Sequence, residues 1–170
     1  MADVALVIVA VDGLWRRLDR VPPDDRNAAL RAACAGVHVA VQTNSDEDAL
    51  AHMADMLRFA PIPIWGPGYR CHLKGRMVAH RLRRPEVLLA RLVANLAREP
   101  DRFDRRHVLV IGAEPADVPL LQAAGTAAWV PELGEPPCVV SYVSEPSDGF
   151  APGVAEVLER LVLRNNRFKL

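Results

Sequence analysis

The chain has 170 residues, 51% of them hydrophobic and 25% charged, which suits one ordinary globular domain with a sizeable core. Its 21 Lys and Arg balance 21 Asp and Glu, so no net field draws it toward nucleic acid, an anionic membrane or an acidic partner. Three scattered cysteines, Cys34, Cys71 and Cys138, have neither CxxC spacing nor even number, which argues against a disulfide framework and points to a reduced, cytoplasmic setting.

The first apolar run, residues 4–11, follows the acidic Asp3 and ends in Asp12-Gly13; it lacks the basic leader and small-residue cleavage site of a signal peptide. No stretch reaches the roughly 20 apolar residues of a membrane span. Short β-branched runs then alternate with helical patterns. Strands are predicted at 5–11, 37–41, 62–65, 107–112, 126–130 and 138–143, and helices at 24–34, 46–58, 85–98, 117–124 and 152–163. The helix starts carry Asp or Pro, as first turns prefer. That alternation predicts an α/β fold with a mostly parallel central sheet covered by helices on both faces. The interval 69–82, YRCHLKGRMVAHRL, breaks the pattern: two half-strands flank Lys74-Gly75, predicting a β-hairpin that projects from the sheet.

In open parallel sheets ligands bind beyond the carboxyl ends of the strands. The residues there are Asp12-Gly13, Thr43-Asn44-Ser45, Gly66-Pro67-Gly68 and 113–117. These strand ends resemble the motifs of the haloacid dehalogenase (HAD) superfamily. VIVAVDG resembles the first, a strand ending DxDG, with Ala10 at the first aspartate and Asp12 at the second. VAVQTNS resembles the second, with Thr43 at its end. LVIGAEPADVPLLQAAG resembles the fourth, in which Gly112 and Asp117 are kept and Ala113 stands at the metal-binding acid. The basic residue of the third motif falls on Arg84, with Arg83 or Lys74 as alternatives. The tail SEPSDGFAPGVAEVLERL and the stretch before the second motif are similar to the Cof-like and mannosyl-3-phosphoglycerate phosphatase branch. The resemblance spans residues 4–163 and implies a three-layer Rossmann-like fold. Members of that branch carry a cap domain between the second and third motifs; here the hairpin stands in its place.

The resemblance also implies a two-carboxylate phosphatase, in which the first aspartate attacks phosphorus and the second works as acid and base. An alanine methyl at position 10 does neither. Such enzymes hold Mg2+ with the first aspartate, a backbone carbonyl and an acid of the fourth motif. With Ala10 and Ala113 lacking oxygen ligands, the candidate set is Asp12, Glu114 and Asp117, and the expectation is no resident metal, or Mg2+ if the protein is active. Thr43, Asn44, the backbone after Asp12, and Arg84 or Lys74 make a candidate phosphate site. The leading expectation is a catalytically impaired, HAD-like pseudophosphatase that binds a phosphorylated small molecule or a protein partner. The alternatives are an active Mg2+-dependent phosphatase of sugar-phosphate type with a rearranged acid set, and a structural interaction module with the hairpin as a dimer or partner contact.

The remaining features read as structure. Trp15 and Trp65 close the rim of a core more often than they hold a ligand, and Trp129 sits inside an apolar strand. The five histidines share no i, i+4 or HExxH spacing, so no zinc site is expected. Gly66-Pro67-Gly68 lacks the rest of a dinucleotide fingerprint. Acids interleave with Arg81, Arg83, Arg84, Arg91 and Arg98, which gives a solvated helix face rather than a nucleic-acid surface.

Overall fold

The structure, a computed structural model, describes residues 3–96, 104–145 and 153–166. Eight strands form one sheet: β1 (Leu6–Ala10), β2 (His38–Thr43), β3 (Ile62–Trp65), β4 (Tyr69–Leu73), β5 (Arg76–Leu82), β6 (Val108–Gly112), β7 (Thr126–Trp129) and β8 (Tyr142–Val143). Their order is β5-β4-β3-β2-β1-β6-β7-β8. All neighbours pair parallel except β3 with β4 and β4 with β5. The helices are α1 (Pro23–Cys34), α2 (Glu47–Leu57), α3 (Pro85–Leu96), α4 (Val118–Ala123), α5 (Gly153–Leu158) and α6 (Arg164–Asn166). This is the α/β fold expected from the alternation of apolar runs.

The three layers follow from side-chain alternation along β1, a fully buried strand. Val7 and Val9 face a core cluster with Ala28, Ala29 and Ala32 of α1, Leu50, Met53 and Leu57 of α2, and Val154, Val157 and Leu158 of α5. Leu6 and Ile8 face the opposite cluster, with Leu88, Leu89 and Leu92 of α3 and Leu120 and Leu121 of α4. Because β1 is buried on both faces, its sequence reads as an unbroken apolar run.

Four expectations are corrected. The hairpin does not project from the sheet: β4 and β5 extend its edge beyond β3, turning at Lys74 (φ 49°) and Gly75 (φ 75°). Cys71, Val78 and Ala79 of the hairpin are buried under α3, and that burial holds it in the sheet plane. The strand expected at 138–143 narrows to Tyr142–Val143, and Val139 is 96% exposed rather than packed on the sheet. The helix expected at 117–124 opens with a 3-10 turn at Pro115–Asp117, and that expected at 152–163 widens into a π-helix over Glu159–Leu163. The end of the 85–98 helix and the SDG part of the tail lie outside the described residues. No described helix is long and apolar enough to cross a membrane.

Asp25, in the first turn of α1, ties the loop after β1 to α1 and α5. Its carboxylate accepts from Trp15 Nε1 at 2.7 Å and from the backbone N–H of Ala155 at 2.8 Å, and the residue is 3% exposed. Trp15 is thereby a core residue, as expected. Burial pushes Asp25 up to about 6, against the hydrogen bonds that favour its anion. The folded state thus keeps this proton to higher pH than the unfolded chain, so the contribution of Asp25 to stability falls as pH rises from about 4 to about 6. Measured by urea denaturation, the stability of the native protein minus that of Asp25→Asn should fall by on the order of 2 to 3 kcal/mol between pH 4 and pH 7. A difference that stays flat contradicts this.

Candidate functional site

The site lies where β1, β2 and β6 end. After β1 the backbone winds into a helical turn, with Leu14 N–H and Arg16 N–H both donating to the Val11 carbonyl. The turn folds Arg16 back over Asp12, its i, i+4 partner. Gly13 lets this loop press against the end of β6: a Cβ there would lie 3.2 Å from the Cβ atoms of both Ala113 and Glu114. The first and fourth candidate motifs therefore meet directly.

Asp12 is the hub. Its Oδ1 accepts from Thr43 Oγ1 at 2.5 Å and from Arg16 Nη1 at 3.2 Å, and its Oδ2 accepts from the Asn44 amide at 2.8 Å. Arg16 also donates to the Ser45 hydroxyl, and Ser45 N–H donates to Thr43 Oγ1 at 3.0 Å. The single hydroxyl hydrogen of Thr43 is thus directed at Asp12. The Asn44 side-chain oxygen accepts from Gln42 Nε2.

On the β6 side, Asp117 is 2% exposed and its Oδ2 accepts from the amides of Ala113 (2.9 Å) and Glu114 (3.1 Å). Burial pushes it up to about 6, with the Glu114 and Asp12 charges acting in the same direction. Glu114 is half-buried and also raised, by burial first and by the Asp12 charge next, while the Arg16 charge acts the other way. Tyr69, opening β4, is raised by burial and then by the charges of Asp117 and Glu86.

The two alanines are integrated into the packing. Ala10 ends β1 opposite Gln42 and is 1% exposed. Ala113 is fully buried, in the cluster that includes Val9, Val11, Leu14 and Trp15. Neither side chain offers an oxygen.

Of the expected phosphate ligands, Thr43 and Asn44 stand beside Asp12. Lys74 does not: β4 runs antiparallel to β3, so the hairpin tip reaches the opposite end of the sheet, and the Lys74 charge acts on His38 at the start of β2. Arg84 follows β5 at the correct end, but on the outermost strand; its side chain is 78% exposed and its guanidinium lies 3.8 Å from Glu86. Arg83 is likewise exposed. Arg91 donates to the Val78 carbonyl and so ties α3 to β5. Trp65 stands at the end of β3 with the Arg70 guanidinium 4.8 Å from its ring centroid. The cationic group that the structure brings to the site is Arg16, whose signal in the sequence was its four-residue spacing from Asp12 on a helical turn.

Mg2+ takes near-octahedral oxygen ligands and is held by carboxylates that face it. Here both oxygens of Asp12 are engaged, one of them by a guanidinium, and Asp117 points Oδ2 at two backbone amides. Among the described residues no three His, Cys, Asp or Glu side chains converge as a metal-ligand group. Asp12, Glu114 and Asp117, the candidate metal set, do not fit the ion as arranged.

No protein-family model and no curated protein matches the chain. Solved structures do. The 3-deoxy-D-manno-octulosonate (KDO) 8-phosphate phosphatase of Moraxella catarrhalis, in complex with magnesium, phosphate and KDO, is 19% identical, with a TM-score of 0.66 over 98% of this chain and 90% of that one. The cobalt-bound form of the corresponding phosphatase from Haemophilus influenzae is 17% identical, with a TM-score of 0.68 over 96% and 90%. The phosphatase of the same kind from Yersinia pestis is 19% identical, with a TM-score of 0.64 over 98% and 84%. The fold is therefore that of the HAD hydrolases, with an eight-stranded, mostly parallel sheet. The Cof-like branch expected from the tail is not named by any of these three.

Asp117 carries a local prediction. Asp117→Ala strands the buried Ala113 amide, which costs about 1 to 3 kcal/mol when left unsatisfied, and the half-buried Glu114 amide. Chemical denaturation at pH 7.5 should show a loss of at least about 1 kcal/mol; a variant as stable as the native protein contradicts the hydrogen bonding described.

Proposed function

We propose that this chain is a phosphate-ester-binding protein of the HAD fold that forms no aspartyl-phosphate. The observation that carries this is Ala10. At the end of β1, 1% exposed, it puts a methyl group where phosphoryl transfer to a carboxylate requires an oxygen lone pair. Asp12 beside it is committed to three donors, Thr43, Asn44 and Arg16, which occupy both of its oxygens. What the site retains is suited to recognition: a guanidinium, the Thr43 hydroxyl, Asn44 and the backbone around Gly13 converge at the carboxyl ends of three parallel strands.

A second reading is a Mg2+-dependent phosphatase of sugar-phosphate type, with Asp12, Glu114 and Asp117 as a rearranged acid set. The solved neighbours back this reading better than the binding one, since they are phosphatases and two of those quoted carry a divalent metal. Glu114, raised by burial, and Asp117, raised to about 6, also give it candidate proton carriers.

Hydrolysis of p-nitrophenyl phosphate with Mg2+ separates the two, with Asp12→Asn as the control. The binding reading predicts no turnover above that of the variant. Mg2+-dependent turnover that Asp12→Asn abolishes and Glu114→Ala lowers about tenfold or more would establish the second reading instead.

The motif assignment has its own test. Ala10→Asp with Ala113→Asp inserts two carboxylates at buried positions, so the double variant should melt below the native protein and recover in millimolar Mg2+. Destabilisation that Mg2+ does not relieve contradicts the placement of these residues at the nucleophile and metal-acid positions.

A further inference from the structure

The misfit between the acids and a divalent metal has a cause in the site. Arg16 Nη1 lies 3.2 Å from Asp12 Oδ1 and donates to Ser45 as well, so a fixed positive charge stands against the central carboxylate. That charge also acts on Glu114, opposing the effect of Asp12. The side chain is anchored at both ends: its backbone N–H bonds the Val11 carbonyl at 2.9 Å, and its head is held by Asp12 and Ser45. Its neighbour Arg17 is drawn off by Glu132 at 2.8 Å, and Arg70 by Glu47.

The Arg16 side chain is nonetheless 41% exposed. A guanidinium has five N–H donors in a planar fork, and a single nitrogen serves the contacts described here. The rest of the fork is available to a tetrahedral dianion, which guanidinium groups bind in bidentate fashion. A metal in such a site screens carboxylates from the incoming phosphate. Here Asp117 is compensated by two backbone amides, and Asp12 by Thr43, Asn44 and Arg16. Removing Arg16 would leave carboxylates at the mouth with no cation beside them.

We propose that the Arg16 guanidinium is the resident cation of this site, supplying between Asp12 and Glu114 the charge that a divalent metal supplies elsewhere, so that a phosphate monoester binds without metal. This rests on the phosphate-binding reading above. It also accounts for the alanines: with a guanidinium as the cation, no carboxylates are required at positions 10 and 113 to hold a metal.

Titration calorimetry of the full chain with inorganic phosphate tests it, in EDTA and again in millimolar Mg2+. The native protein should bind phosphate equally in both. Arg16→Gln should weaken binding about tenfold or more in EDTA, and Arg16→Lys, which keeps the charge and loses the fork, should fall between the two. Arg16→Gln should also gain a Mg2+-dependent rise in melting temperature that the native protein lacks, because the Asp12 carboxylate then faces the ion alone. Circular dichroism of each variant reports its folding independently of ligand.

Phosphate binding that requires Mg2+, or that Arg16→Gln leaves unchanged, overturns the role of Arg16 while the phosphate site stands. Absence of phosphate binding by the folded native protein under both conditions overturns the phosphate site and this inference together.

Discussion

The carboxylate of Asp12 is the interaction on which the functional end of this molecule depends. One side chain gathers the hydroxyl of Thr43, the amide of Asn44 and the guanidinium of Arg16, and so joins the ends of β1 and β2 to the turn between β1 and α1. Hydrogen bonds to an ionised acceptor are about twice as strong as neutral ones. The arrangement is therefore both a structural clasp and a fixed pattern of charge. Gly13 brings this clasp against the β6 loop, where Asp117 performs the same service for two backbone amides. The two loops together make one polar floor, built on a sheet that is buried from both faces.

Chemistry at such a floor depends on which atoms stand on it. The fold is shared with phosphatases, yet at 17 to 19% identity a shared fold specifies the scaffold and leaves the site to be read residue by residue. Read that way, Ala10 and Ala113 are not gaps waiting for a ligand. Both are packed, Ala113 within the same cluster as Trp15 and Leu14, so a carboxylate at either place has to displace apolar contacts or find a partner. The positive charge comes instead from Arg16, a residue of this chain.

Most of the fold was legible in the sequence because it is carried by hydrophobic period. Residues 62–65 matched β3, and the β1, β2, β6 and β7 runs lay within one or two residues of the observed strands, since strands buried on both faces announce themselves as apolar runs. The Lys74-Gly75 turn was legible because a turn of that type needs positive φ at both central residues. What the sequence does not display is the direction in which an edge hairpin leaves the sheet. Lys74 looked like a phosphate ligand until the antiparallel pairing of β3 with β4 carried it to the far end. Arg84 reached the right end on the wrong strand. Arg16 was hidden inside a loop, because its role comes from a helical turn after β1 that carries no hydrophobic period. The 138–143 run illustrates the converse: β-branched residues suggest a strand, but Val139 is exposed and the strand is confined to Tyr142–Val143.

The central claim is that this floor receives a phosphate through Arg16 and without a metal. A crystal structure of the protein grown with both inorganic phosphate and Mg2+ addresses it most directly. The account predicts a phosphate on the Arg16 fork beside Thr43 and Asn44, with the Arg16 to Asp12 contact kept and no metal between Asp12 and Glu114. A Mg2+ ion ligated by Asp12 with Glu114 or Asp117, and Arg16 swung away from the carboxylate, would contradict it.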